Sequence, residues 1–179
     1  MAINFIVSDG TGLSTATSYL SVEDLKQYFE DFGYSYGTAT DDNLKTYLNK
    51  ATKVLDSAYI EDWVNNGYRK DTDQSLMWPR TGAVYIDGDL IDNDIIPPEI
   101  ENATAEYVYA IISGLTLQST ETSSGTVRTE AVKVDVIETS TTYFEGSTTA
   151  RDSVTAVDDA LSRITGGISS NYKLTIERV

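Results

Sequence analysis

The sequence predicts a mainly α-helical fold, a small bundle of about four helices with a β-hairpin insertion and an extended C-terminal strand. Three observations predict this fold class. Apolar residues recur at steps of three and four in several segments. Apolar and polar residues alternate near residue 132 and again over the last eight residues, which is the period of a strand. The chain has 179 residues, 40% hydrophobic and 23% charged, a composition typical of a globular domain.

Two helices are predicted in the first third of the chain. The first spans residues 22–32, because Ser21 is a favourable N-cap and Gly33 a favourable C-cap. The second spans residues 41–66 along an apolar stripe at helical spacing, and Gly67 ends it. The stripe expected to face the core consists of Leu44, Tyr47, Leu48, Ala51, Leu55, Ala58 and Tyr59.

A long connection and a third helix follow. Residues 68–98 are rich in glycine and proline, which favours a loop, and Leu76, Met77 and Trp78 are expected to anchor it. The Pro97–Pro98 pair can open the third helix, since proline is tolerated in a first turn. The predicted buried face of this helix is Ile100, Ala103, Tyr107, Ala110 and Ile111.

The chain then changes to the period of a strand. A β-hairpin is predicted near residues 127–145, and a fourth helix over residues 154–164 completes a domain of residues 1–165. The alternation that predicts the first strand is carried by Val132, Val134 and Val136.

Residues 166–179 are predicted to be a flexible spacer followed by an arm. Glycine and serine dominate the spacer, and the arm alternates apolar with polar residues. Because a lone strand cannot stabilise itself, the arm is expected to add to the edge of a sheet in another subunit or partner. Pairing with the hairpin of its own chain is the alternative. The residues expected to bind are Tyr172, Leu174, Ile176 and Val179.

Charge and composition exclude several classes of function. The chain has 28 acidic and 13 basic residues, a net charge of −15, which argues against a general binder of nucleic acid or acidic membranes. It has no cysteine and no histidine, so disulfides, thiolate nucleophiles and imidazole catalysis are absent. The first residues lack the pattern of a signal peptide, and no apolar run approaches the roughly 20 residues of a membrane span. The chain is therefore expected to be soluble and made in a cytoplasm.

Other signals for chemistry are weak. Four aspartates crowd one loop, but their spacing does not fit a calcium-binding loop, so a solvated acidic loop or a surface kept negative is the better interpretation. The Gly10–Gly12 segment is interpreted as a turn rather than a dinucleotide-binding motif. No metal or cofactor is predicted. The loop aspartates are Asp87, Asp89, Asp92 and Asp94.

A resemblance to a known family rests on several segments. The most distinctive segment is residues 74–82, which contains Trp78, Pro79, Arg80 and Gly82. Residues 12–22 also match. Together these segments resemble the head-to-tail adaptor, or head-completion, proteins of tailed phages, which are often labelled DnaT-like single-stranded-DNA-binding proteins. Smaller matches are residues 28–29, 51–56, 96–98 and 157–161.

The resemblance implies a structural virion protein without catalysis. Similar adaptors form a ring, usually dodecameric, under the portal protein in the head–tail neck, and dock a tail or nozzle protein. Double-stranded DNA passes through the ring without specific binding, and neither a cofactor nor a membrane is involved. The C-terminal arm would insert into the portal, and the hairpin would face the tail side or a neighbouring subunit. Acidic loop residues that line the channel would repel DNA.

Two other functions remain open. A single-stranded-DNA-binding or replication accessory protein would need a basic groove with aromatic side chains. A carboxylate-dependent hydrolase would need a cleft with two carboxylates of separated pKa. For the distinctive segment, we expect Trp78 to be buried, Pro79 to fix a turn and Arg80 to pair with helix carboxylates; a subunit interface is the alternative.

Overall fold

The computed structural model describes the chain in four stretches. They are residues 3–114, 127–133, 138–143 and 155–165. The chain forms two compact units, one made of Met1–Leu115 with Val154–Val179 and the other of Thr116–Ser153.

The first helix begins and ends where its capping residues predict. Helix α1 spans Val22–Phe32. The Ser21 side chain accepts a hydrogen bond from the Asp24 backbone N–H, and Gly33 ends the helix with a φ of 69°. The predicted bounds of this helix are confirmed.

The predicted long second helix is in fact two helices. Helix α2 spans Asp41–Ala58 and α3 spans Ile60–Asn65. Between them Tyr59 has a ψ of 22°, outside the α region, and its hydroxyl donates to the Asp158 carboxylate. The break redirects the chain so that Trp63 of α3 is fully buried. The prediction of one continuous helix was wrong here, because tertiary contacts override a helical pattern.

Helix α4 is the centre of the larger unit. It spans Pro98–Ile112, with Pro98 in its first turn as predicted. It packs against α1, α2 and α5, the last spanning Thr155–Thr165. Of its predicted buried face, the first three residues are buried and Ala110 and Ile111 are half-buried.

The core lies between α4 and the other helices of this unit. In the predicted α2 stripe, four residues are fully buried, and Tyr47, Ala58 and Tyr59 are half-buried. The largest side chains that are fully buried include both tryptophans: Trp63, Trp78, Tyr19, Phe29, Leu25, Leu44, Leu48 and Leu55.

The long connection contains short β structure. Strands β1, Tyr68–Arg69, and β2, Arg80–Thr81, pair antiparallel with Arg69 opposite Arg80. An isolated antiparallel bridge joins Val84 and Leu90. The sequence predicts only a loop here, because strands of two residues are too short to show a period.

The smaller unit contains the predicted hairpin. Strand β3 spans Val127–Lys133 and pairs antiparallel with β4, Glu138–Tyr143. Val132 lies in β3 opposite Thr139. Val134 and Val136 lie outside the described residues, as does the predicted arm with Tyr172, Leu174, Ile176 and Val179.

Among the described residues, no helix combines the length and the apolarity that crossing a bilayer requires.

Two glycines with positive φ are expected to differ in their tolerance of alanine. A Cβ on Gly10, at φ 82°, would lie 2.0 Å from the Asp94 backbone oxygen, whereas a Cβ on Gly37, at φ 57°, would meet nothing within 4 Å. Gly37→Ala should lower the free energy of unfolding by roughly 1–2 kcal/mol, the cost of a left-handed backbone alone. Gly10→Ala should lower it clearly more. Urea unfolding of both variants measures the difference, and equal losses would contradict the close approach at Gly10.

Candidate functional site

The distinctive tryptophan segment is buried rather than exposed for binding. Trp78 is 1% exposed, and its ring meets Trp63 edge to face at a centroid distance of 5.7 Å. The Trp78–Pro79 peptide bond is cis. Gly82 follows strand β2 with a φ of 72°. The burial of Trp78 agrees with the sequence-based expectation.

Arg80 holds backbone oxygens, not helix carboxylates. Its Nε donates to the Asn66 oxygen at 2.8 Å and its Nη2 to the Gly67 oxygen at 2.7 Å. Its Nη1 donates to the Met77 oxygen at 3.1 Å. The expected pairing with helix carboxylates was therefore wrong: the planar guanidinium, which is 2% exposed, binds the carbonyls of the turns that surround it.

Tyr19 and Asp56 attach the tryptophan segment to α2. The Tyr19 hydroxyl donates to Asp56 Oδ1 at 2.5 Å and accepts from the Met77 and Trp78 backbone N–H groups, both at 3.1 Å. Asp56 Oδ2 accepts from the same Met77 N–H at 3.1 Å. Burial raises the pKa of the Asp56 carboxyl to about 6, and the bonds from Tyr19 and Met77 limit that rise.

A cluster of aromatic side chains surrounds a buried acid. Glu106 on α4 is 6% exposed and accepts hydrogen bonds from the Tyr28 hydroxyl at 2.8 Å and the Tyr34 hydroxyl at 3.1 Å. Burial, together with this carboxylate, raises the pKa of the Tyr28 hydroxyl. The Tyr34 ring stacks on Tyr109 at 4.0 Å. An aromatic cluster with a carboxylate at its centre is not the basic stacking platform that nucleic-acid binding requires.

Two grooves include residues of α3 in their linings. The first, which we call the α2 groove, has a volume of about 530 Å³ and lies between α2 and residues 75–77. The second has a volume of about 440 Å³. Asp56 is the carboxylate of the first groove and Asp62 that of the second. Neither groove holds the pair of carboxylates that the hydrolase hypothesis requires.

Burial also raises the pKa of Glu101 on α4, to about 7, with the charge on Asp24 as a second cause. Glu101 lines neither groove, so it does not provide the missing carboxylate. Among the described residues, no group of three or more acidic side chains is placed to hold a metal ion.

The four predicted loop aspartates are all exposed. Two of them lie in the turn of a short hairpin, residues 83–91, which we call the acidic hairpin, and two follow it. The Tyr85 backbone N–H donates to the Asp89 backbone oxygen at 2.9 Å, and the Ile91 backbone N–H donates to the Ala83 backbone oxygen at 2.9 Å. Asp87 and Asp89 are therefore held at the surface by a hydrogen-bonded hairpin, and Asp92 and Asp94 lie directly after it. The four residues are Asp87, Asp89, Asp92 and Asp94.

Most lysines and arginines of the described helices and loops are bound within the fold. Six of them contact carboxylates or backbone oxygens: Lys26, Lys45, Arg163, Arg69, Lys70 and Arg80. Lys50 and Lys53 on α2 have no hydrogen-bond or ion-pair partner within the described part of the chain. In these helices and loops, unpaired positive charge is thus limited to one stretch of α2.

Several residues that define these features were not found from the sequence. Glu106 falls between the buried residues Ala103 and Tyr107 of the α4 face, and an acid on an apolar face is a signal that sequence reasoning can use. Tyr19 lies in one of the matching segments, but nothing there indicates its bond to Asp56. The roles of Asp56 and Arg163 depend on contacts between distant parts of the chain.

Comparison with known proteins supplies a family. The model of the family described as "Putative DnaT-like ssDNA binding protein" matches residues 3–179. No curated protein matches the chain, and no solved structure does. Since the match covers nearly the whole sequence, the chain belongs to this DnaT-like family.

Proposed function

We propose that the chain is a structural, non-enzymatic protein of a tailed phage, an adaptor that forms a ring between the portal and the tail. The observation that carries this proposal is the charge. The chain has a net charge of −15, and among the described helices and loops only Lys50 and Lys53 are unpaired cations. A ring of such subunits repels the DNA backbone, which suits a channel through which DNA must pass without being held.

The C-terminal part of the chain has the role of attachment in this proposal. Helix α5 ends at Thr165, and Arg163 in its last turn pairs with Glu99 of α4 at 2.8 Å. This ion pair attaches the end of α5 to α4. From there residues 172–179 reach the portal and add to it as a strand. The β3–β4 hairpin contacts the tail protein or a neighbouring subunit.

Single-stranded-DNA binding is the second candidate function, and the description of the family favours it. In this function the DNA strand would lie along α2, where Lys50 and Lys53 are unpaired and Lys53 borders a groove. The remaining charge of the helices and loops opposes it, because phosphate contacts supply most of the affinity for nucleic acid.

A pull-down with a purified portal ring of the phage that encodes this chain tests the adaptor proposal. The full chain and a version that ends at Gly167 are compared, and the complexes are imaged by electron microscopy. We expect the full chain to bind the portal as a ring and the shortened chain to lose binding. If the full chain fails to bind the portal, the adaptor proposal is wrong.

A further inference from the structure

The acidic hairpin presents apolar side chains to solvent. Leu90 is 73% exposed, Ile86 64% and Val84 38%. They lie within seven consecutive residues that also contain Asp87 and Asp89. A small apolar surface with a rim of charge is typical of a site of protein–protein interaction.

Helix α5 holds this hairpin in place. The Ile86 N–H donates to the Arg163 backbone oxygen at 2.9 Å. The Arg163 guanidinium lies 4.3 Å from the centre of the Tyr85 ring and binds Glu99 at 2.8 Å. The apolar side chains are therefore exposed on a fixed support, which lowers the entropy lost when a partner binds.

The α2 groove has polar groups that lack partners. Thr52 is fully buried, lines the groove, and its Oγ1 has no hydrogen-bond partner. Asn49 donates to the Asn4 backbone oxygen, while its own Oδ1 is buried without a partner. Buried polar atoms without partners are rare in native proteins, so the polar side of this groove is incompletely satisfied by the described residues.

The rest of the groove combines an apolar floor with two charged side chains, Lys53 and Asp56, and the Asp56 carboxylate is already bound by Tyr19 and Met77. Ile60, Leu76 and Met77 line it, and Ile60 is 44% exposed. Lys53 stands at its border, and Lys50 lies one turn earlier on α2. Among the lysines and arginines of the described helices and loops, these two are the ones without partners. The unpaired charge beside the groove is thus positive, which matches an occupant that is apolar and acidic.

We propose that the α2 groove of one subunit binds the acidic hairpin of a second copy of the chain. Ile86 and Leu90 then bury against the apolar floor of the groove. The Asp89 carboxylate then faces Lys53, and that of Asp92, which follows the hairpin, faces Lys50. The inference deepens the proposed function and rests on it, because a ring of adaptors needs a contact of this kind.

In a ring this contact is heterologous, since each copy gives its hairpin to one neighbour and its groove to the other. A heterologous contact leaves one groove and one hairpin free in any dimer, and further copies can add until a ring closes. The apolar burial supplies most of the affinity, and the ion pairs select the register and the partner.

Charge reversal tests the pairing. Lys53→Glu alone and Asp89→Lys alone are each expected to weaken self-association about tenfold, measured by sedimentation velocity. The double variant Lys53→Glu/Asp89→Lys is expected to recover most of the loss. Asp159→Lys, an exposed acid on α5, is the matched control and should leave self-association unchanged.

A mixing experiment tests the heterologous geometry. Ile86→Asp with Leu90→Asp blocks the hairpin, and Ile60→Asp with Lys53→Glu blocks the groove. Each variant alone is expected to be monomeric, whereas their mixture is expected to form heterodimers through the one intact groove and one intact hairpin. Phe32→Asp, another exposed apolar site at 59%, controls for the added charge, and circular dichroism checks that every variant is folded.

Two results would overturn the inference: a wild-type chain that stays monomeric at the highest soluble concentration, or a mixture of the blocked variants that forms no heterodimer. Portal binding is measured separately. A chain that associates through hairpin and groove but does not bind the portal refutes the adaptor function and leaves this contact standing.

Discussion

Arg80→Met is expected to lower the free energy of unfolding by about 3 kcal/mol or more, because three backbone oxygens lose a buried charged donor. These oxygens belong to Asn66, Gly67 and Met77, and the guanidinium that binds them is 2% exposed. Because methionine fills a similar volume, the decrease in the free energy of unfolding comes mainly from the lost hydrogen bonds and less from packing. Urea unfolding followed by tryptophan fluorescence measures it, since both tryptophans lie in the same core.

Arg69→Met is the matched control for that substitution. Arg69 is exposed, lies opposite Arg80 in the β1–β2 pair, and makes a bond of 3.1 Å to the Gln74 oxygen. Loss of this bond in Arg69→Met should lower the free energy of unfolding by about 1 kcal/mol or less. Arg80→Lys should fall between the two, because an ammonium group cannot span three carbonyls. Equal losses for Arg80→Met and Arg69→Met would contradict the central role given to Arg80.

Tyr19→Phe is expected to destabilise the chain by about 2 kcal/mol near neutral pH and by less near pH 4.5. The substitution leaves the Trp78 N–H without its partner and removes a donor from Asp56. Because that donor lowers the pKa of Asp56, its loss raises this pKa further above about 6. At neutral pH the folded variant must therefore hold an ionised Asp56 at a greater cost in free energy. At lower pH Asp56 is protonated and this additional cost is absent.

The sign of the pH dependence follows from the raised pKa of Asp56. The folded value of about 6 lies above the ordinary 3.8, so the native state holds the proton more tightly than the unfolded chain. The stability from this group is therefore present at low pH and falls as the pH rises from about 4 to about 6. In Asp56→Asn this fall should vanish. Denaturant unfolding over that pH range tests both variants, and a Tyr19→Phe curve parallel to that of the wild type would contradict the coupling.

The parts of the fold that depend on local signals were predicted well. Helix α1 begins after the N-cap Ser21 and ends at Gly33, and both capping residues are adjacent to the helix in the sequence. Helix α4 likewise begins at its proline pair. The break at Tyr59 was not predicted, because it depends on Asp158, far along the chain, and on the burial of Trp63. A periodic apolar stripe continues through such a break without showing it.

The candidate surfaces were predicted only in part. The acidic loop was visible as a run of aspartates, but the hairpin that presents it and the Arg163 contacts that fix it are long-range. Sequence reasoning placed Arg80 near carboxylates, since charge pairing is the usual expectation for an arginine near helices. The structure instead surrounds it with the carbonyls of two turns, a geometry that no local pattern indicates.

Our proposal of a structural adaptor rests on the claim that the chain does not hold single-stranded DNA. The most direct measurement is fluorescence anisotropy of a labelled thymidine oligonucleotide of about 30 nucleotides, titrated with the full chain at low and at physiological salt. We predict no saturable binding at physiological salt. Saturable binding that weakens with salt and is lost in Lys50→Glu/Lys53→Glu would contradict the claim and establish DNA binding along α2.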